Sequence, residues 1–167
     1  MNLYVKQNFF SFRDRFYVYD DAGNEKYYVE GEIFSLGKKL RLFDLQGNIL
    51  AFIDQKIFSF QPKFRITTSE NRSFEIIKNF TFWNHKYTVE PFGWIVCGDF
   101  FAHDYIVTDG DSSHVQRLIR VSKEWFTFGD AYKIEIEDGI DEISALSVVL
   151  VIDACMDQEN NIEIRLG

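Results

Sequence analysis

Asp141-Glu-Ile-Ser-Ala-Leu-Ser-Val-Val-Leu-Val-Ile-Asp-Ala-Cys-Met156 is apolar on every side of a helical wheel rather than along one stripe, the pattern of a helix surrounded by protein or by lipid. The apolar run inside it, Ile143 to Ile152 with two serines, falls short of the ~20 residues that a bilayer-crossing helix needs. The stretch therefore predicts a helix over about 141–156 enclosed by protein. Gly139 supplies a break before it and Asp141 a candidate N-cap. Whatever encloses this helix must come from the first 140 residues, and those read almost entirely as strands.

One phrase recurs through them: an aromatic, a small residue, an aromatic or Leu, a short polar turn, then an alternating strand. It reads Phe10-Ser-Phe-Arg-Asp-Arg-Phe-Tyr-Val, Phe34-Ser-Leu-Gly-Lys-Lys-Leu-Arg-Leu and Phe58-Ser-Phe-Gln-Pro-Lys-Phe-Arg-Ile. It returns at Phe80 and Phe126, and more weakly at Phe101, so that a unit begins every 21–25 residues. Within a unit the period is two: Phe58 and Phe60 are expected on one face, as are Phe64 and Ile66 after the turn, with Lys63 and Arg65 on the other. Links such as Asp20-Asp-Ala-Gly-Asn24 and Asp44-Leu-Gln-Gly-Asn48 carry the residues that tight turns prefer. Six units of two strands make about twelve antiparallel strands. An open sheet of that width would expose long edges, so closure is favoured.

A barrel of about eight strands is filled by its own side chains, whereas a wider one needs water, ligand or a plug. A helix ~10–12 Å across suits a lumen of about twelve strands. The expected architecture is a mainly β, closed antiparallel barrel of about twelve strands around a central hydrophobic C-terminal helix. Residues 1–156 are expected to form this single domain, and 157–167 a polar tail that frays or adds a short edge strand. The alternative is a β-sandwich with the helix laid across one face.

Size and charge bound the function. The chain of 167 residues has 18 Phe and a formal net charge of −8, which argues against a nucleic-acid partner because phosphate contacts need concentrated positive charge. The first 68 residues carry a charge of +2 and the remainder −10. Met1-Asn-Leu-Tyr-Val-Lys6 lacks the pattern of a signal peptide, so a cytoplasmic location is expected, with no transmembrane segment. Cys97 and Cys155 are expected as two reduced, buried thiols.

Gly31-Glu-Ile-Phe-Ser-Leu-Gly-Lys-Lys-Leu-Arg-Leu-Phe-Asp-Leu-Gln-Gly-Asn48, Gly98-Asp-Phe-Phe-Ala-His-Asp-Tyr105, Trp125-Phe-Thr-Phe-Gly-Asp130 and Ala145-Leu-Ser-Val-Val-Leu-Val-Ile-Asp-Ala154 resemble the LURP-one-related proteins. That family is grouped with the tubby C-terminal domain and the phospholipid scramblases. The resemblance spans roughly residues 1–156 and implies a tubby-like twelve-stranded barrel around a central helix. For function it implies less: tubby domains bind phosphoinositides, scramblases act at membranes, and most LURP-one-related members have no assigned activity. The chain has no Pro-rich N-terminal extension and no cysteine cluster. These departures argue against scrambling and are compatible with headgroup binding.

The leading candidate site is the basic set Arg15, Lys38, Lys39, Arg41, Lys63 and Arg65, with Arg13 nearby. The alternation turns Lys39, Arg41, Lys63 and Arg65 away from the helix, forming an exterior cationic strip that suits an anionic phospholipid or phosphoinositide headgroup. The plainer reading is a solvated exterior in which Glu30, Glu32, Asp44 and Asp54 intervene. Asp99, His103 and Asp104 bring metal-ligating types together, but neighbours on a strand face opposite sides, so a structural role for His103 or a turn is favoured. Asp111, Ser112, Ser113 and His114 lack the context of a nucleophile and its base. Glu135, Glu137, Asp138, Asp141 and Glu142 lack calcium-loop spacing and suit a helix N-terminus. Asp153, inside the apolar run's end, needs a partner such as a backbone amide, a Tyr hydroxyl or an Arg. No metal or cofactor motif is present.

The expected function is a non-enzymatic domain, without a cofactor, that binds an anionic phospholipid headgroup or a protein partner through the barrel exterior, peripheral at a membrane. The alternative is a small-molecule carrier or enzyme with a pocket at a barrel mouth near His103 or Asp153.

Overall fold

The structure is a computed structural model that describes residues 1–6, 15–32, 37–79, 86–110, 114–126 and 129–166. Its strands are β1 (Asn2–Lys6), β2 (Phe16–Tyr19), β3 (Glu25–Gly31), β4 (Lys39–Asp44), β5 (Ile49–Gln55) and β6 (Lys63–Thr68). They continue as β7 (Ser73–Asn79), β8 (Lys86–Glu90), β9 (Trp94–Asp99), β10 (Asp104–Thr108), β11 (Arg117–Phe126) and β12 (Gly129–Ile136), followed by one helix, α1 (Glu142–Leu166). Each strand pairs antiparallel with its chain neighbours, and β1 closes the barrel on β12 with Leu3 opposite Ile134 and Val5 opposite Tyr132. The expected closed twelve-stranded barrel around a C-terminal helix is therefore the observed fold.

The period-two pattern decides which face each strand turns inward. Leu40 and Leu42, Ile53, Phe64 and Ile66, and Phe74 and Ile76 are buried, while Lys39, Arg41, Lys63 and Arg65 between them lie on the outside. Inside, every position of α1 from Ser144 to Met156 is buried, so the helix has no solvent-facing stripe. Its entry is set by Gly139, in the left-handed region at φ 85°, and by Asp141, whose Oδ2 accepts from the Ser144 backbone N–H at 2.8 Å as the expected N-cap. Burial raises the Asp141 carboxyl, but the Ser144 hydrogen bonds and Arg72 outweigh it and hold the group below its usual range. Glu142 takes an ion pair from Lys26 at 2.5 Å.

Three expectations are corrected. The tail after Asp157 neither frays nor forms a strand: α1 continues through it to Leu166, because extending a helix already nucleated adds a hydrogen bond for each residue fixed. Cys97 is exposed rather than buried, since Val96 takes the inward position on β9 and alternation sends Cys97 out. Phe58 and Phe60 do not share a strand face. They lie in the β5–β6 loop, fully exposed, with β6 beginning only at Lys63. The corresponding aromatics at 7–14, 33–36, 80–85 and 127–128 lie outside the described residues.

This loop placement follows from the topology. Links leaving odd-numbered strands (7–15, 32–38, 56–62, 80–85, 100–103 and 127–128) join strand ends at one end of the barrel. Links leaving even-numbered strands (20–24, 45–48, 69–72, 91–93, 109–116 and 137–141) join them at the other. α1 enters at the second end, where Arg72 pairs with Asp141 at 2.9 Å. It emerges at the first, where Lys38 pairs with Asp157 at 2.5 Å and Gln158 bonds Gln55.

Enclosure of the helix predicts that Leu150→Ala will cost about 2–5 kcal/mol in urea unfolding; a loss under about 1 kcal/mol would contradict a fully packed site. Burial pushes the Cys155 thiol up to about 11. A thiol reagent at neutral pH is therefore expected to modify Cys97 in the native protein and Cys155 only after denaturation, read by mass spectrometry of the labelled peptides.

Candidate functional site

The basic set resolves into an exterior charge lattice and one inward exception. Register places Lys39 opposite Asp54 and Asp54 opposite Arg65, with Arg65 opposite Glu75 on the next strand. Glu75 receives Lys63 at 3.0 Å and Arg65 at 2.9 Å. Those two donors, Lys63 first, hold its carboxyl below the usual range. Glu32 likewise serves two cations, Arg41 directly and Lys39 at 3.8 Å. Arg15 pairs with Glu30 at 2.6 Å and lies over the Tyr28 ring, 4.3 Å from its centroid, and Lys56 pairs with Asp54 at 2.5 Å. Of the carboxylates expected to intervene, Asp44 instead caps its own turn through the Gln46 and Asn48 amides. Arg13 lies outside the described residues.

Lys38 does not join this lattice. Its ammonium reaches inward to the emerging helix, bonding the Ala154 carbonyl at 2.9 Å and Asp157 at 2.5 Å. Burial lowers its pKa and Asp157 partly opposes that shift. Lys38 thus fastens α1 to the barrel rim.

Beside the lattice lies an open groove of ≈390 Å³ lined by Lys39, Asp54, Gln55, Lys56, Ile57 and Phe58. Its floor depends on Gly37, at φ 81°: a Cβ there would stand 2.7 Å from Ile57 Cγ2 and 3.2 Å from the Gln55 carbonyl oxygen. Only glycine lets the loop sit so close. Lys56, Ile57, Phe58 and Phe60 were not read as surface site residues from sequence. Gln61-Pro62 just before Lys63 was the available signal that the aromatics precede the strand rather than belong to it.

A second polar cluster lies inside the barrel. Tyr132, on β12, donates to Asp153 Oδ2 on α1. Burial, and then the Asp153 charge, keep the Tyr132 phenol well above its ordinary pKa, so it retains its proton. His103 occupies the β9–β10 turn in the left-handed region at φ 51°. Its ring stacks on Tyr132 with centroids 4.7 Å apart. His103 Nε2 stands 3.5 Å from Asp153 Oδ1, too long for a good hydrogen bond. Among the described residues, Asp153 Oδ1 and the Tyr105 hydroxyl are buried without a hydrogen-bond partner, and the Tyr87 hydroxyl lies beside the Cys155 thiol. Gly98 permits this arrangement, because a Cβ there would fall 2.5 Å from Tyr105 Cα.

Sequence had named His103 and Asp153 separately; the fold brings them together. It does not gather Asp99, His103 and Asp104: Asp99 accepts from the Ala102 amide at 3.0 Å, and Asp104 faces Arg120 at 3.6 Å. Among the described residues no group of His, Cys, Asp or Glu is arranged to hold a metal ion. Asp111, Ser112 and Ser113 lie outside the described residues, and His114 is exposed. In the acidic run, Glu137 pairs with Arg117 at 2.8 Å and Glu135 with Lys133 at 3.1 Å.

Together these features define a helix-plugged antiparallel barrel whose polar chemistry is divided between a packed interior pair and a charged outer groove. The sequence profile of the LURP-one-related proteins matches residues 1–153. YxjI of Bacillus subtilis (strain 168) is 32% identical over 153 residues, covering 92% of this chain and 92% of that protein. The chain belongs to the LURP-one-related family. A protein of Arabidopsis thaliana solved by X-ray crystallography superimposes with a TM-score of 0.64 at 13% identity, over 91% of this chain and 88% of that one, a likeness of fold.

Asp153→Leu is expected to lower stability by about 1–3 kcal/mol in urea unfolding at neutral pH, by removing the buried oxygen to which the Tyr132 hydroxyl donates. Asp153→Asn, which keeps an acceptor oxygen, should lose less. Equal stability of Asp153→Leu and the parent would show that the interior bond contributes nothing net.

Proposed function

We propose that the protein is a non-catalytic binding module that takes the anionic headgroup of a phospholipid at the outer groove between Lys39 and Lys56. One observation carries this reading: two carboxylates of the lattice, Glu32 and Glu75, are each shared between two cations. Sharing leaves a surplus of positive charge around a groove open enough for a phosphate. Lysines suit this task as point charges on flexible stems that can turn from a carboxylate to a phosphate. On this reading the protein works in the cytoplasm, at the face of a membrane.

A basic residue near an anionic surface contributes about 1 kcal/mol, so a surplus of two charges yields only about 2 kcal/mol, a weak association on its own. The alternative, a carrier or enzyme at a barrel mouth, would use Asp153, His103 and Tyr132. Those groups pack against one another with Asp153 only 4% exposed, and that weighs for the exterior reading.

In co-sedimentation with phosphatidylserine-containing vesicles, the parent protein is expected to pellet and Lys39→Glu/Lys63→Glu to stay in the supernatant. The four-unit charge change should weaken partitioning by about a hundredfold or more. Added salt should release the parent protein. Equal pelleting of both proteins, or of neither, would refute headgroup binding at this groove.

A further inference from the structure

We propose that the barrel docks end-on to an anionic phospholipid bilayer, with the end from which α1 emerges facing the lipid and Phe58 and Phe60 inserted among the headgroups. The inference rests on the headgroup reading above and adds the orientation and the anchor that the weak charge term lacks.

Phe58 is 98% exposed and Phe60 wholly so, and Ile57 beside them is 44% exposed. Two rings this exposed, two residues apart in one loop, are not the usual outcome of a packed hairpin. Nor is the loop a loose one. The Lys56 amide bonds the Lys63 carbonyl at 2.8 Å, and the Pro62 carbonyl receives the Lys78 amide at 2.9 Å. Gly37 seats Ile57 against the rim. The backbone is thus pinned while the rings point outward, flanked by Lys39, Lys56 and Lys63. Aromatic rings at the headgroup level with basic residues beside them are the composition of an interfacial anchor.

The two sets of links differ in the same sense. In sequence, the six links leaving odd-numbered strands carry twelve aromatic residues and a net charge of +2. The six leaving even-numbered strands carry one aromatic, Phe92, and a net charge of −7. The emerging end of α1 adds Asp157, Glu159, Glu163 and Arg165, a further −2 that brings the first end to neutral, so an anionic surface would repel the second end and not the first. The net charge of −8 does not forbid this approach. The thirteen buried residues of α1, at 1.5 Å each, hold the two ends roughly 20 Å apart, more than two Debye lengths of about 8 Å. Docked this way, the acidic end is screened from the membrane.

The test uses the full chain and vesicles of phosphatidylcholine with and without phosphatidylserine. Phe58→Ser/Phe60→Ser should keep the parent melting temperature, because both side chains are already in solvent, yet bind phosphatidylserine vesicles about tenfold or more weakly. A tryptophan in place of Phe60 should shift its emission to shorter wavelength on binding and be quenched by brominated phospholipid. One in place of Leu45, at the acidic end, should do neither. If the parent protein binds but the double serine variant binds equally, or the Leu45→Trp reporter is the one quenched, the orientation is wrong and the headgroup reading stands. If the parent protein binds no vesicle, the headgroup reading itself fails. If the double serine variant instead turns a dimer into a monomer in sedimentation, the rings serve contact between copies and the membrane assignment is overturned.

Discussion

The fold depends on burying a helix that has no polar side. Thirteen successive positions of α1, Ser144 to Met156, are shielded from solvent, and a helix of that kind is insoluble without a wall around it. The wall has the converse requirement. Twelve strands enclose more space than their inward side chains can fill, and an empty apolar lumen would forfeit contacts on every lining residue. Barrel and helix each remove the other's defect. Closure of β1 on β12 is what makes the enclosure complete, and it also disposes of the two sheet edges that would otherwise invite pairing with another chain.

Within this apolar fit the polar exceptions fix the setting of the helix. Asp153 meets the Tyr132 hydroxyl in one rotation of α1 about its axis; another rotation would break that bond and bury the carboxylate elsewhere. At the two rims, Arg72 holds Asp141 and Lys38 holds Asp157 together with the Ala154 carbonyl. These contacts define the helix's depth. Asp153 is packed beneath His103 and Tyr132 inside the barrel, so the polar exceptions on α1 are turned into the wall and not into solvent.

The outer surface is organised along the barrel axis rather than along the chain. Splitting the sequence at residue 68 gives a basic part and an acidic part, but every region of the chain contributes links to both ends of the barrel, so that division has no counterpart in space. Alternation of the links does. The shared carboxylates Glu32 and Glu75, the lysines of the β5–β6 rim and the exposed Phe58 and Phe60 are separated in sequence and adjacent on the barrel because β4, β5, β6 and β7 are consecutive staves.

Local pattern alone was enough for the architecture. A helix without a polar face, six returns of one aromatic phrase and period-two alternation each report a property of short stretches, and short stretches carry their own periodicity. The N-cap at Asp141 and the outward aim of Lys39, Arg41, Lys63 and Arg65 were legible for the same reason. Where α1 stops, whether Phe58 and Phe60 sit on a strand or before it, that Lys38 turns inward while Lys39 turns out, and that His103 meets Asp153 were settled only by the tertiary structure. Those outcomes depend on which strand ends lie side by side and how far the helix projects through the lumen. These are distances between residues remote in sequence, which no local period encodes.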